Sequence, residues 1–266
     1  MIEITDQEFR HFQHFIYDAA GITLPASKKT LVSGRLAKRL QQCHLDNYSE
    51  YFSLLSSGQA PQEVQVAIDL LTTNETYFFR EPHHFELLRD LALAGRGRTD
   101  AFRVWSAASS TGEEAFSIAM VLADCLGMGA WEVVGTDISA RVLQAANAAH
   151  YPMERARHVP PAYLKRFCLR GTGPQEGTLL IDRLLRARVQ FRHANLNEPL
   201  PELGRFDVIF LRNVMIYFND DTKRQVVTRV AAQLRHGGHF FIGHSESLNG
   251  INDELALLAP SVYQKP

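Results

Sequence analysis

From residue 1 to about 70, apolar positions recur at helical spacing. In EFRHFQHFIYDAA, Phe9, Phe12, Ile16 and Ala19 fall on one helical face. Gly21 follows as a stop signal. KKTLVSGRLAKRLQQCHL reads as a second helix, although Gly34 inside it costs about 1 kcal/mol relative to alanine. NYSEYFSLLSSG and PQEVQVAIDLL read as two more, and Pro61 suits the first turn of the last. From about residue 100 the period changes. AFRVWSA is a short β run. GEEAFSIAMVLADCLG is a helix with Ala115, Ile118, Ala119, Leu122, Cys125 and Leu126 on one face. WEVVGTD is a second strand and SARVLQAANAA a second helix. VQFRHANL, FDVIFLR and GHFFIGH are later strands, with the helix DDTKRQVVTRVAAQL before the last of them. Strands alternating with helices of this length predict a parallel sheet covered on both faces, a doubly wound Rossmann-like α/β domain. Its ligand belongs at the carboxyl ends of the strands.

One stretch breaks the alternation. RFCLRGTGPQEGTLLIDRLLRARVQFRHA holds a turn cluster between two β-like runs, which predicts a small antiparallel β-subdomain inserted over about 165–192. The expected organisation is therefore a small all-α N-terminal domain over 1–72, a linker over 73–95 that contributes to the ligand pocket, and the α/β domain over 96–266.

Composition narrows this picture. With 266 residues and 45% hydrophobic residues, the chain supports one large core and a small second domain. A net charge of −1 gives no general pull toward nucleic acid or an anionic membrane. MIEITDQEFRHF lacks the basic and apolar regions of a secretory signal, and no apolar run is long enough for a membrane span. Cys43, Cys125 and Cys168 are widely separated and form no CxxC pair, which argues against disulfides or a thiolate metal site. The reducing cytoplasm is the expected location. His83–His84 and His236/His239 lack an acid at ligand spacing, so no metal is expected.

The turn after the first strand, SAASSTGEEAF, is made of small residues but has a single glycine, Gly112, and no GxGxxG. A dinucleotide pyrophosphate needs that spacing, and Glu113 and Glu114 repel phosphate. A cationic ligand such as S-adenosylmethionine fits better, though two acids also suit a helix N-terminus for its own sake. Asp137 ends the second strand, where an acid binds both ribose hydroxyls or caps the next helix. TTNETYFFREPHHF reads from composition alone as a linker with buried aromatics.

TNETYFFRE, SAASSTGEEAFSIA, GTDIS, RGTGPQEG, RNVMIYF and GHSE occur in order and at compatible spacing. Together they resemble the CheR family of chemotaxis receptor methyltransferases over nearly the whole chain. Ala115–Phe116 departs from the family's usual Pro-Tyr. The resemblance implies a protein-glutamate O-methyltransferase that uses S-adenosylmethionine and releases S-adenosylhomocysteine. It assigns Asn74, Thr76 and Arg80 to cofactor contact, Glu113 to the methionyl part, Asp137 to the ribose, and Asn195 and Leu196 to the adenine region. It adds Arg212 and Asn213 to the pocket, places Tyr217 beside the transferring methyl with Arg80 as the second catalytic residue, and suggests His244 as a further lining residue.

Two docking surfaces are expected. Ala19 through Leu45 holds five basic residues and no acid, and on one helix Lys28, Arg35 and Arg39 would share a face. A basic stripe is usually a solvated face, but the resemblance implies docking of the cytoplasmic helices of transmembrane chemoreceptors. The insert resembles the branch that adds the receptor's C-terminal tail to a sheet edge. A monomer is expected, with no nucleic acid and no membrane insertion. Rival readings are a CheR-like enzyme of another sensory pathway such as surface sensing, a methyltransferase for another acceptor, and a non-catalytic S-adenosylmethionine-binding module.

Overall fold

The computed structural model describes residues 3–127 and 129–266, so the first two residues of the expected helical domain lie outside the described residues. Helix α1 (Asp6–Ala20) opens with a capping box: Thr5 Oγ1 accepts from the Glu8 amide, and the Glu8 carboxylate accepts from the Thr5 amide at 2.9 Å. It ends at Gly21, whose φ of 71° lets its N–H turn back to Tyr17 O. Helices α2 (Lys29–Gln42), α3 (Tyr48–Ser56) and α4 (Pro61–Leu71) follow. Phe12 and Ile16 of α1, Leu36 of α2 and Tyr51 of α3 are fully buried between them. Gly34 causes no break, because it lies on the exposed side of α2 with open space beside it.

The expected linker contains a further helix, α5 (His83–Ala94). It buries His84, Phe85, Leu88 and Ala92 on one face. The remaining elements are β1 (Phe102–Ala107), α6 (Glu113–Leu126), β2 (Trp131–Asp137), α7 (Ala140–Ala148), β3 (His150–Pro152), α8 (Pro161–Phe167), β4 (Cys168–Arg170), β5 (Thr178–Ile181) and α9 (Arg183–Arg186). Then come β6 (Val189–His193), β7 (Phe206–Leu211), α10 (Asp220–Ala231), β8 (Leu234–Ile242), β9 (Ala256–Ala259) and β10 (Val262–Gln264).

The main sheet has seven strands in the order β6-β2-β1-β7-β8-β10-β9. The first five are parallel, as alternating strands and helices require, while β10 runs antiparallel to β8 and β9. This terminal hairpin escapes a reading by period because its strands are three and four residues long. In β1 and β7 successive side chains enter opposite cores: Val104, Val208 and Phe210 on one side, Trp105, Ile209 and Leu211 on the other. The second of these cores is continuous with the interior of α1–α4. The N-terminal helices thus cover one face of the sheet, and α5, α6 and the insert cover the other.

The insert is a three-stranded antiparallel sheet ordered β3-β5-β4. It recruits β3, which precedes the expected bounds, and it gives up β6, which pairs with β2 in the main sheet. A three-residue HYP strand carries no readable alternation. From β1 the chain builds outward to β2 and β6, then crosses back to place β7 on the other side of β1. This reversal opens a crevice beyond the carboxyl ends of β1 and β7, the place where doubly wound sheets hold ligands.

Candidate active site

A cleft occupies this crevice. Its walls are the turn after β1, the tips of β2 and β6, the loop after β7, the segment Thr72–Arg80, and Ala20 and Ile22 from the end of α1. Strain gathers here. Of eight non-glycine residues with positive φ among the described residues, five (Phe79, Glu81, Ala108, Ser110 and Asn213) belong to these segments or adjoin them. Each such conformation costs about 1–3 kcal/mol and persists only where its surroundings enforce it.

Asp137 supplies part of that enforcement. It is only 6% exposed. Its Oδ2 accepts from Ser110 N and its Oδ1 from Ser139 N, both at 2.9 Å. Burial pushes its carboxyl above the ordinary 3.8, against the pull of the Ser139, Ser110 and Ile138 amides. One residue therefore shapes the first turn, supports the start of α7 and faces the cleft. Each oxygen keeps a lone pair for a further donor, so the two roles weighed for an acid at this position are compatible. Ser110 Oγ also donates to Asn74 O at 2.9 Å, tying the turn to the 72–80 segment.

The neighbouring acids divide their roles. Glu113 does not line the cleft: it is fully buried, accepts from Thr111 Oγ1 at 2.6 Å and lies 3.2 Å from Arg155. Glu114 lines the cleft and pairs with Arg212 at 2.8 Å. Successive helical residues point about 100° apart, so a sequence motif cannot tell which of two adjacent glutamates turns inward.

Arg212 is a neutralised cation. Its guanidinium meets Glu114, meets Glu81 at 3.0 Å and donates to Arg80 O at 2.5 Å. Arg80 lines the cleft, donates to Glu75 O at 3.1 Å and stands 5.8 Å from the Tyr77 ring centre. Thr76 is buried in the wall, and its carbonyl accepts from Arg155 at 2.9 Å. Asn213 donates to Glu81 at 3.2 Å. Asn195 donates to Ala19 O at 2.7 Å beside the buried Leu196. Tyr217 lines the cleft, and its carbonyl accepts from Thr23 N at 2.8 Å, next to a bridge between Ile22 and Phe218. Thus Asn74, Thr76, Arg80, Asp137, Asn195, Leu196, Arg212, Asn213 and Tyr217 share one cleft, while Glu113 and His244 are not in its lining. Glu114, one of the acidic pair, takes the inward place, and Ala20 and Ile22 join the lining without a local sequence signal.

Glu81, His84 and His244 bring possible ligand atoms within 4.8 Å of one another. The shared Glu81 oxygen already faces Arg212. His84 is wholly buried, and burial followed by the Arg212 charge pushes its pKa down to about 3, so it is neutral. The group is an arginine-neutralised carboxylate with a histidine behind it.

The basic stripe needs correction. Lys28 closes a 3₁₀ turn before α2 and is exposed. Arg35 donates to Leu71 O at 3.1 Å and Thr72 O at 3.0 Å, satisfying the end of α4. Arg39 makes a bidentate pair with Glu63, which also accepts from Tyr51 at 2.7 Å. The partners come from α4, beyond the acid-free stretch, so two of the three cations are engaged inside the helical region.

Comparison with known proteins agrees with this arrangement. Residues 7–72 match the family model for the CheR methyltransferase all-alpha domain, and residues 74–263 match that for the CheR methyltransferase SAM binding domain. The chemotaxis protein methyltransferase of Salmonella typhimurium is 42% identical over 265 residues, covering 98% of this chain and 91% of that protein. That of Escherichia coli is 42% identical, covering 98% and 92%. Chemotaxis protein methyltransferase 2 of Pseudomonas aeruginosa is 42% identical, covering 97% and 93%. With both of its regions matched, the chain belongs to the CheR family of methyltransferases, and S-adenosylmethionine is its methyl donor.

Proposed function

We propose that the chain transfers the methyl group of S-adenosylmethionine to glutamate side chains of chemoreceptors, leaving glutamate methyl esters and S-adenosylhomocysteine. The residues present suit the cofactor. Asp137 offers two carboxylate oxygens to a ribose, and Ile22, Ile138, Leu196 and Phe218 give the apolar surface an adenine needs. When bound, the cofactor supplies a methyl group already activated by its sulfonium.

The observation that carries the acceptor assignment is the lining itself. Among the described residues it contains no histidine, lysine or cysteine, and of its three acids Glu114 is paired with Arg212, Asp137 is held by backbone amides and Glu75 is exposed to solvent. Such a cleft suits an acceptor that needs no proton removed. Glutamate, with a pKa of about 4.3, is already an anion at neutral pH. Catalysis then consists of alignment and exclusion of water. Arg212 is neutralised, so the guanidinium of Arg80 is the one that attracts the carboxylate, and Arg212 steadies it by holding the Arg80 carbonyl. The Tyr217 hydroxyl steers the carboxylate without carrying a proton.

The insert supports tail docking. Phe167 O accepts from Asp182 N, Gly171 N donates to Thr178 O, and Leu169 stands opposite Leu180. The Cys168 amide caps α8 by donating to Leu164 O, and alternation in an antiparallel ladder turns the Arg170 amide outward, where an extended peptide adds as a strand.

Methyl transfer from labelled cofactor to receptor-containing membranes tests the reading. Base-labile label on receptor protein is the expected result. Base-stable label would mean another acceptor, and cofactor binding without any transfer would mean a binding module.

A further inference from the structure

Buried main-chain amides must find acceptors. The loop from Arg212 to Tyr217 leaves β7 and contains only one 3₁₀ turn, Met215–Tyr217, so neither a ladder nor an α-helix serves its first amides. The acceptors come from the turn after β8. Glu246 Oε2 accepts from Asn213 N at 2.8 Å and from Gly243 N at 2.6 Å, and Oε1 accepts from Met215 N at 2.9 Å. One carboxylate ties together two strand ends. Charge-assisted bonds of this kind are about twice as strong as neutral ones.

Two further observations fit the tie. Asn213 stands at φ 57°, a left-handed turn conformation that asparagine tolerates better than most non-glycine residues. Gly243 lies so close that a Cβ there would come 2.4 Å from Asn213 Nδ2 and 2.9 Å from Glu246 Oε2. The two turns meet at this distance only because that position has no side chain. Asn213, Val214 and Tyr217 line the cleft, whereas Glu246 does not.

We propose that Glu246 is a positioning residue for methyl transfer, its carboxylate holding the Arg212–Tyr217 loop so that Asn213 and Tyr217 face the cleft. This rests on the catalytic role proposed above for Tyr217. Most of the groups assigned to the cofactor lie on other segments, so losing the tie affects turnover more than binding.

The experiment compares Glu246→Gln, Glu246→Asp and Gly243→Ala in the full chain. Glutamine keeps the shape but turns an NH₂ toward N–H donors. It should lower kcat about tenfold or more while S-adenosylhomocysteine affinity changes less than about threefold. Gly243→Ala should show the same split, and Glu246→Asp, which keeps the charge, should retain more turnover than Glu246→Gln. Amide hydrogen exchange at Asn213 and Met215 should accelerate in Glu246→Gln. That readout needs no methyl acceptor, so it stands even if the glutamate assignment fails. Unchanged exchange at the two amides would overturn the proposal. A Glu246→Gln enzyme that melts lower but turns over normally would make the tie merely structural and overturn it equally.

Discussion

The N-terminal helices and the three-stranded insert flank one cleft and are built on opposite plans. The helices turn their charges inward: Arg39 to Glu63, Arg35 to the end of α4, and Glu8 to Thr5 and Ser49. They share a core with the sheet and supply cleft wall through Ala20 and Ile22. The insert is tied at its stem, where Tyr151 donates to Thr111 O at 2.7 Å and Arg155 to Thr76 O at 2.9 Å. Its far edge is open, with β4 outermost and Leu169 53% exposed. The helical region closes the cleft, and the insert carries the open edge proposed above for tail docking.

The largest effect should come from opening the helical interior. The side chains of Arg39 and Glu63 are 24% and 13% exposed. Fully buried pairs cost about 3–5 kcal/mol when broken, so Arg39→Ala should cost somewhat less, about 2–3 kcal/mol, in urea unfolding. Burial raises the Glu63 carboxyl, but the Arg39 and Tyr51 hydrogen bonds and the guanidinium charge prevail and hold it below 4.5. A depressed folded pKa gives stability that is complete above 4.5 and lost as pH falls through the lower folded value. Wild-type protein should lose this contribution in acid, and Arg39→Ala should be flatter there. A neutral Arg39→Ala at pH 7 would return Arg39 to the pool of docking cations.

Next is Tyr217, whose backbone the helical region steadies through Thr23. Tyr217→Phe should lower kcat about tenfold and leave S-adenosylhomocysteine affinity unchanged by calorimetry. Normal turnover would leave the hydroxyl without a part in catalysis.

A smaller effect probes the open edge. Arg170→Pro removes an outward amide and spares the β4–β5 ladder. It should reduce methylation of tail-bearing receptors about three- to tenfold and leave tail-less receptors unaffected. Gly171 is the wrong place for this test, since a Cβ there would come 1.9 Å from Gln175 O and break the turn itself. Equal loss on both substrates would mean that the edge docks nothing.

The smallest effect is expected at the basic residues between Ala19 and Leu45 that remain exposed. Lys28 and Lys38 lie open to solvent. Changing both to alanine should alter receptor KM less than about twofold at low ionic strength. A larger, salt-sensitive rise would show that the helices dock receptors and would narrow the contrast between the two regions.

The parts legible in the sequence are those whose information is local. Helical and strand periods place α1–α4 and the five parallel strands, and the small residues of SAASSTG mark the turn at the switch point. What was hidden depends on distance or on a single rotation. Arg39 meets an acid one helix hairpin away. Glu113 and Glu114 differ only in which way a helix turns them. Helix α5 opens with two histidines, and only the fold shows that His84 is buried. Glu246 belongs to a recognisable motif, but its task appears only when β8 lies beside β7.

The Ile22–Phe218 bridge has a consequence in time. The apolar face of α1–α4 is covered in large part by β7, α10 and β8, which are synthesised more than a hundred residues later. At roughly 5–20 residues per second, the ribosome needs roughly ten to forty seconds to travel from the end of α4 to the end of the chain. Throughout that interval the first helices to emerge lack the surface that completes their core. A chain truncated before Phe218 would present this face to chaperones and proteases, whereas a released chain that includes β8 would cover it.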